Sequence, residues 1–238
     1  MPRIEFVDVE VTVPIEDGDL EILRRTSLVL SEHRIGVIGA NGSGKSTLAR
    51  LINSLVEPTR GTVAVDGLST SRDAAAVRRR VGFVFTDPAA QLVMPTVVED
   101  VQLSLRRSHS RRSERQRAAL AVLDRYGLAA LAHRSVHTLS GGQRQLLAMA
   151  GVLATDPAIL VADEPTTLLD LGNTRMIGDL LFSLPQQLIL LTHDLDLARR
   201  CDRVLVVADG RVVFDGDAGP AVESYIRSVE GIPVQDPA

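Results

Sequence analysis

Lys45 and Ser46 follow a run of small residues, Gly39-Ala40-Asn41-Gly42-Ser43-Gly44. The combination fits the pattern G-x-x-x-x-G-K-[ST], with Thr47 directly behind it. Glycines let the backbone curl tightly, so several N–H groups can point at one anion. Lys45 brings a positive charge to the outer phosphates of such an anion, and Ser46 offers a hydroxyl to Mg²⁺. The chemistry implied is the gripping of a nucleoside triphosphate.

Two carboxylates extend that chemistry. Ile159-Leu160-Val161-Ala162 is an apolar strand pattern that ends in Asp163-Glu164. A strand end beside a phosphate loop is where Mg²⁺ must be held, and Asp163 can hold it alongside Ser46. Glu164, one residue on, projects differently and can take a proton from an attacking water. His193 follows another apolar strand pattern, Gln187 to Leu191. An imidazole at that strand end can hydrogen-bond the γ-phosphate or the water. Ser140-Gly141-Gly142-Gln143 places a hydroxyl and two glycine amides at the start of a helical pattern, a second anion-binding helix N-terminus. One triphosphate has one γ-phosphate, already served by the glycine loop. The simplest use for the second site is the nucleotide of another molecule.

The elements that position these residues alternate. Ile4 to Val13 and Leu20 to Leu30 read as strands about a turn signal at Asp17-Gly18. Arg34 to Ile38 is a buried strand leading into the glycine loop, and Ser46 to Ile52 has helical spacing. Thr62 to Val65 is a strand with a turn at Asp66-Gly67, Asp73 to Arg80 a short helix, and Val81 to Phe85 another buried strand. From about Pro95 to Thr155 the spacing is helical throughout. Thr96 is expected to cap a helix through Leu105, with Glu99 completing a capping box, and Ser113 to Tyr126 forms another helix. Strands return at Ile159, Gln187 and Arg203 to Val207. Asp209-Gly210 joins the last to Arg211-Val212-Val213-Phe214 as a hairpin, and Pro220 to Val229 closes the chain as a helix. The fold class is therefore α/β: a phosphate-loop NTPase core over residues 1–88 and 156–238, with antiparallel strands at its N-terminal end and an inserted helical subdomain over 89–155.

Composition sets limits. The chain has 238 residues, 45% hydrophobic, and a net charge of -4. That balance, with aromatics at 3% and no Trp, argues against nucleic acid as a partner. Cys201 is the only cysteine, so no internal disulfide or thiolate metal cluster can form. No run of about 18 apolar residues is present, so a membrane role needs a partner. The basic run Arg106 to Arg115 reads first as a solvated loop, with acidic groups on a partner or lipid headgroups as the alternative contact.

Together these elements resemble the nucleotide-binding subunit of ATP-binding cassette (ABC) transporters, over nearly the whole chain. Gly39 to Ser46 matches Walker A, Leu139 to Gln143 the signature motif, Ile159 to Glu164 Walker B, and His193 the switch histidine. Thr167-Leu168-Leu169-Asp170 occupies the D-loop position. The resemblance implies ATP and Mg²⁺ as cofactors and a head-to-tail dimer, homo- or heteromeric. Each ATP would lie between one Walker A loop and the partner's signature motif. It also implies integral membrane partners, one coupling and one substrate-binding, and a place on the cytoplasmic face of the membrane. Within the family, Phe85-Thr86-Asp87-Pro88 with Pro95 to Val101 looks like the energy-coupling-factor importers of vitamins and transition-metal ions such as cobalt. Adding Thr166 to Asp170, it is most similar to the biotin-importer ATPase.

Two positions depart from the family pattern. Thr86 stands where a Mg²⁺-contacting glutamine is usual, so Thr86 through water, or Gln91 in its place, is expected at the metal. Val13 stands where an adenine-stacking aromatic is usual and offers apolar contact without a ring face. A soluble ABC ATPase acting as an assembly scaffold or regulator would carry the same motifs; the membrane-coupling surface, expected on the helical insertion, separates the two.

Overall fold

The apolar runs of the sequence become the middle of a sheet, and the alternating stretches become its partly solvated neighbour. The computed structural model describes residues 1–16 and 18–231. Strands β1 (Ile4–Ile15) and β2 (Gly18–Leu30) pair antiparallel; Asp17, part of the expected turn, lies outside the described residues. Strand β3 (Arg34–Ile38) is buried at all five positions and leads through the glycine loop into helix α1 (Lys45–Ile52). Next come β4 (Arg60–Val65), the two-residue β5 (Leu68–Ser69), α2 (Ala74–Arg80) and β6 (Val81–Val84). The helical stretch holds α3 (Val97–Ser104), α4 (Arg112–Arg125) and α5 (Gly141–Leu153). The core resumes with β7 (Ile159–Asp163), α6 (Leu171–Ser183), β8 (Gln187–Leu191), the short α7 (Leu195–Ala198), β9 (Arg203–Ala208), β10 (Arg211–Gly216) and α8 (Ala218–Val229).

Two sheets result. One is antiparallel in the order β2-β1-β4-β5; the other has six strands in the order β10-β9-β3-β8-β7-β6. In the second, β9, β3, β8, β7 and β6 run parallel, and β10 folds back antiparallel on β9. The Asp209-Gly210 hairpin forms as expected, with φ of 48° and 73°, the left-handed pair that matches strand twist. Parallel strands covered on both faces need continuous apolar runs, which is why β7 and β8 carry no alternation. Helix α1 is buried between the two sheets by Leu48, Ala49, Leu51 and Ile52. The opposite face of the six-stranded sheet packs against α5 to α8 through Met149, Ile177, Leu181, Ala198 and Val222.

The helical stretch has a cluster of its own, with Val97, Val101, Ala119, Leu123 and Leu147 at its centre. Gln91 bridges it to the core: its side-chain oxygen accepts from the Phe85 N–H at 3.3 Å, and its amide nitrogen donates to the Ala148 carbonyl at 3.3 Å. The capping box expected at Thr96 is not the one formed. The Thr96 hydroxyl donates to the Glu99 carboxylate at 2.5 Å and makes no bond to the helix amides. The box at Ser140 is complete, with Ser140 Oγ accepting from the Gln143 N–H at 3.3 Å and Gln143 Oε1 accepting from the Ser140 N–H at 3.0 Å. Helices α6 and α7 escape the sequence reading. α6 opens on Asp170, whose carboxylate accepts from the Asn173 N–H at 2.9 Å, and its apolar positions are spread thinly among glycine, threonine and charged residues.

Candidate active site

Parallel strands aligned in one sheet bring their C-terminal ends into a row, and loops there can share one crevice. The glycine loop follows β3, Asp163 ends β7, and His193 comes two residues after β8. These ends surround a cavity of about 810 Å³ lined by Gly39 to Thr47, Thr86, Asp163, Glu164, Thr167 and His193. Sequence motifs more than a hundred residues apart thus meet in one crevice.

The glycine loop needs its glycines at two close approaches. Gly39 has φ of 148°, and a Cβ there would lie 2.1 Å from the Val207 carbonyl oxygen. Gly44, the N-cap of α1, has φ of 103°, and its Cβ would lie 2.8 Å from the Ile22 carbonyl oxygen. Lys45 is the first helical residue, and its ammonium donates back to the carbonyls of Gly39 at 2.7 Å and Ala40 at 2.8 Å. Burial pushes the Lys45 pKa below its ordinary value, with Glu164 and Asp163 opposing that shift. The buried hydroxyl of Ser43 has no hydrogen-bond partner. A donor without an acceptor in a loop of inward amides fits a phosphate group.

Ser46 Oγ donates to Asp163 Oδ1 at 3.1 Å. Asp163 is 2% exposed, and burial raises its pKa above the ordinary carboxylate value. The nearest guanidinium, on Arg50, is 4.0 Å away. A buried, thinly compensated carboxylate beside a hydroxyl, at the edge of a phosphate-shaped cavity, fits a cation that completes its shell with phosphate oxygens and water. No cluster of three or more His, Cys, Asp or Glu residues arranged to hold a metal exists among the described residues.

Glu164 sits in the left-handed region at φ 52°. Such a conformation costs on the order of 1–3 kcal/mol in a non-glycine residue and persists where surrounding structure imposes it. Its Oε2 collects three donors: His193 Nδ1 at 2.7 Å, the Thr167 hydroxyl at 3.0 Å and the His193 backbone N–H at 3.3 Å. A carboxylate acceptor requires His193 Nδ1 to carry a proton toward it. Oε1 has no protein donor among the described residues. Neither Thr167 nor its bond was read from the sequence as part of this group; a hydroxyl three residues past a strand-end glutamate is the signal that would have found it.

The structure departs from expectation at two places, Val13 and Gln91. Val13 is exposed and does not line the cavity; Ile22 and the ring of Tyr225, from α8, form the wall instead. The β1–β2 pairing carries Val13 out along the hairpin opposite Leu20, while Ile22 passes over Gly44. Gln91 does not take the place of the missing glutamine, because both ends of its amide are engaged between β6 and α5. Thr86 does line the cavity, with its hydroxyl on the Asp163 carbonyl at 3.0 Å. Ser140, Gly141, Gly142 and Gln143 lie outside the cavity, at the start of α5 against α6, where Asn173 packs on Gly142. One copy of the chain therefore holds two separate anion-directed surfaces. With its own cap satisfied through the Oγ lone pair, Ser140 keeps its hydroxyl proton to donate.

Strand, phosphate loop, helix and an acidic strand end in this arrangement define a nucleotide-hydrolysing ATPase of the phosphate-loop class. The family model described as "ABC transporter" matches residues 23–167, more than half of the chain, and the chain belongs to that family. A putative ABC transporter ATP-binding protein of Bartonella quintana is 48% identical over 88% of this chain and 93% of its own length. The biotin transport ATP-binding protein BioM of Rhizobium etli is 44% identical over 85% of this chain and 90% of its own. Among solved structures, a dimeric ATP-binding cassette in a post-hydrolysis state with ADP and Pi has a TM-score of 0.82 at 30% identity, covering 90% of this chain and 98% of that one. CbiO1 of Clostridium perfringens, part of the ABC transporter complex cbiONQ, has a TM-score of 0.79 at 29% identity over 95% and 94%. The protein is an ABC-type ATPase.

Proposed function

We propose that this chain is the ATP-hydrolysing subunit of an energy-coupling-factor importer, for a vitamin, biotin first, or a transition-metal ion. The observation that carries the reading is the separation of the two phosphate-directed surfaces. The glycine loop lines one cavity, and the Ser140 cap lies outside it. A head-to-tail pair brings the cap of one copy over the loop of the other, and each ATP then closes a joint between subunits. Biotin is favoured over other solutes by likeness to a protein named for biotin transport.

Within that joint the glycine-loop amides, Ser43 and Lys45 bind and orient the β- and γ-phosphates. Lys45 exchanges its two loop carbonyls for phosphate oxygens. Ser46 and Asp163 would hold Mg²⁺, which when bound neutralises phosphate charge. Glu164, steadied by Thr167 and His193, accepts the proton of the attacking water. A groove of about 310 Å³ between the core and the helical stretch, lined by Phe83, Phe85, Val93 and Leu103, supplies an apolar seat for a helix of the membrane-coupling subunit. No helix among the described residues is long and apolar enough to cross a membrane, so the chain would work as a peripheral subunit at the cytoplasmic face.

Glu164→Gln tests the engine: with Mg-ATP it should elute as a dimer that retains two nucleotides and hydrolyses almost none. A variant that stays monomeric with ATP would remove the sandwich. Co-purification with an integral membrane subunit tests the transport role; a stable complex with soluble proteins alone would replace it by scaffolding.

A further inference from the structure

The basic stretch between α3 and α4 is not used by the ATP site. It borders a second cavity of about 500 Å³, walled by Arg78 and Arg79 from α2, by Arg107 and His109 beyond α3, and by the loop after α5. Nearby arginines are neutralised: Arg80 pairs with Asp66 at 2.6 Å and Arg111 with Glu114 at 3.2 Å. The three in this cavity are not. Among the described residues none of them makes an ion pair, and Arg78 reaches only the Ser54 carbonyl at 3.3 Å. Asp156 is the one carboxylate in the lining. The loop itself is fixed: the His109 N–H bonds the Leu105 carbonyl at 3.0 Å, and Arg115 clamps the His109 carbonyl at 3.1 Å.

We infer that this cavity seats the phosphate of an anionic phospholipid headgroup. Guanidinium forks match phosphate oxygens pairwise, and three arginines, two on α2 and one on the loop after α3, line this cavity. The chain as a whole carries a net charge of -4, so it has no general attraction to anions, and the field that draws one is local. An acidic helix of a partner fits less well. Such a helix needs an apolar strip to lie on, and this cavity offers only the buried Leu105 and the small, partly buried Ala154, whereas the adjoining groove has the aromatic and leucine side chains. The cavity and the groove share Arg78, Ser104 and Thr155, so a headgroup held here lies beside the proposed seat of the membrane subunit. The inference draws on the membrane role proposed above, but its test uses neither nucleotide nor membrane subunit and can fail while that role stands.

The test is sedimentation of the full chain with vesicles of phosphatidylcholine, with and without phosphatidylglycerol. Binding is expected only with phosphatidylglycerol. Arg79→Gln and Arg107→Gln should each weaken it about fivefold, and the pair together about 25-fold. The double variant should keep its ATP turnover, which reports that it is folded, and Arg227→Gln on α8 should bind vesicles as the natural chain does. Equal loss in Arg227→Gln, or no loss in the double variant, would overturn the assignment. So would calorimetric binding of inorganic phosphate without vesicle binding, which points to a free anion. Capture by a poly-glutamate peptide but not by vesicles would overturn it in favour of an acidic protein segment.

Discussion

Glu164 Oε2 is shared by a hydroxyl, an imidazole and a main-chain amide, so the carboxylate is aimed before any nucleotide arrives. Replacing it by the isosteric amide should cut turnover by about 10²–10⁴-fold while nucleotide affinity, read by fluorescence, holds. Thr167→Val should lower kcat and leave KM near its natural value, and Thr167→Ser should restore the rate; a Val variant with normal kcat would make Thr167 a bystander. Asp163 supports a prediction about pH. Its folded-state pKa is raised by burial, so the stability tied to its protonated form is fully present below the ordinary carboxylate pKa of 3.8 and is lost as pH rises through the folded value. Ionising this buried carboxylate is therefore a burden until a cation shares it. Asp163→Asn should raise the melting temperature of the ligand-free protein at pH 7, show little gain at acid pH, and lose the further rise that Mg-ATP gives the natural chain.

At the scale of elements, what was legible in the sequence is what local physics dictates. β3 and β8 appear at their expected residues because an unbroken apolar run bounded by polar residues leaves little choice. The Ser140 cap was legible because the hydroxyl stands directly before the helical run, and Gln143 completes a box there. The Thr96 box was not realised because a hydroxyl and a carboxylate at that spacing can also bond to each other. α6 was missed because its buried positions, Ile177, Gly178 and Leu181, make a sparse stripe that only the sheet beneath makes meaningful. Val13 stands outside the cavity lining because which hairpin residue faces the loop depends on register shifts in β1 that no local pattern announces. The same scale yields a test of the α5 terminus. Ser140→Ala should cost about 1 kcal/mol through the lost cap and reduce cooperative ATP turnover far more than that loss explains. Gly142→Ala would put a methyl 2.3 Å from Oδ1 of Asn173, a side chain held in place by the bond its Nδ2 donates to Asp170 at 2.6 Å. It should lower turnover at unchanged ATP affinity, since it disturbs the cap and leaves the glycine loop intact.

For the whole molecule, a cavity complete on one side only predicts that activity depends on concentration. Specific ATPase activity should rise with protein concentration and level off where light scattering reports full dimer. Mixing an excess of Lys45→Ala chains with natural ones should depress the rate per natural chain, because mixed pairs carry one empty joint. A rate strictly proportional to natural chain would mean that a single copy hydrolyses ATP alone.

Gln91 gives the molecule a crank. One end of its amide is pinned to the helical stretch at Ala148 and the other to Phe85, the neighbour of Thr86, whose hydroxyl grips the main chain of Asp163. Any tilt of the helices by an attached subunit would be delivered through this short train of bonds to the main chain of Asp163, the residue whose carboxylate meets Ser46. Loading on the far face would thus set the pace of combustion at the near one, and Gln91→Ala should let the motor idle at full speed, burning fuel with nothing moved.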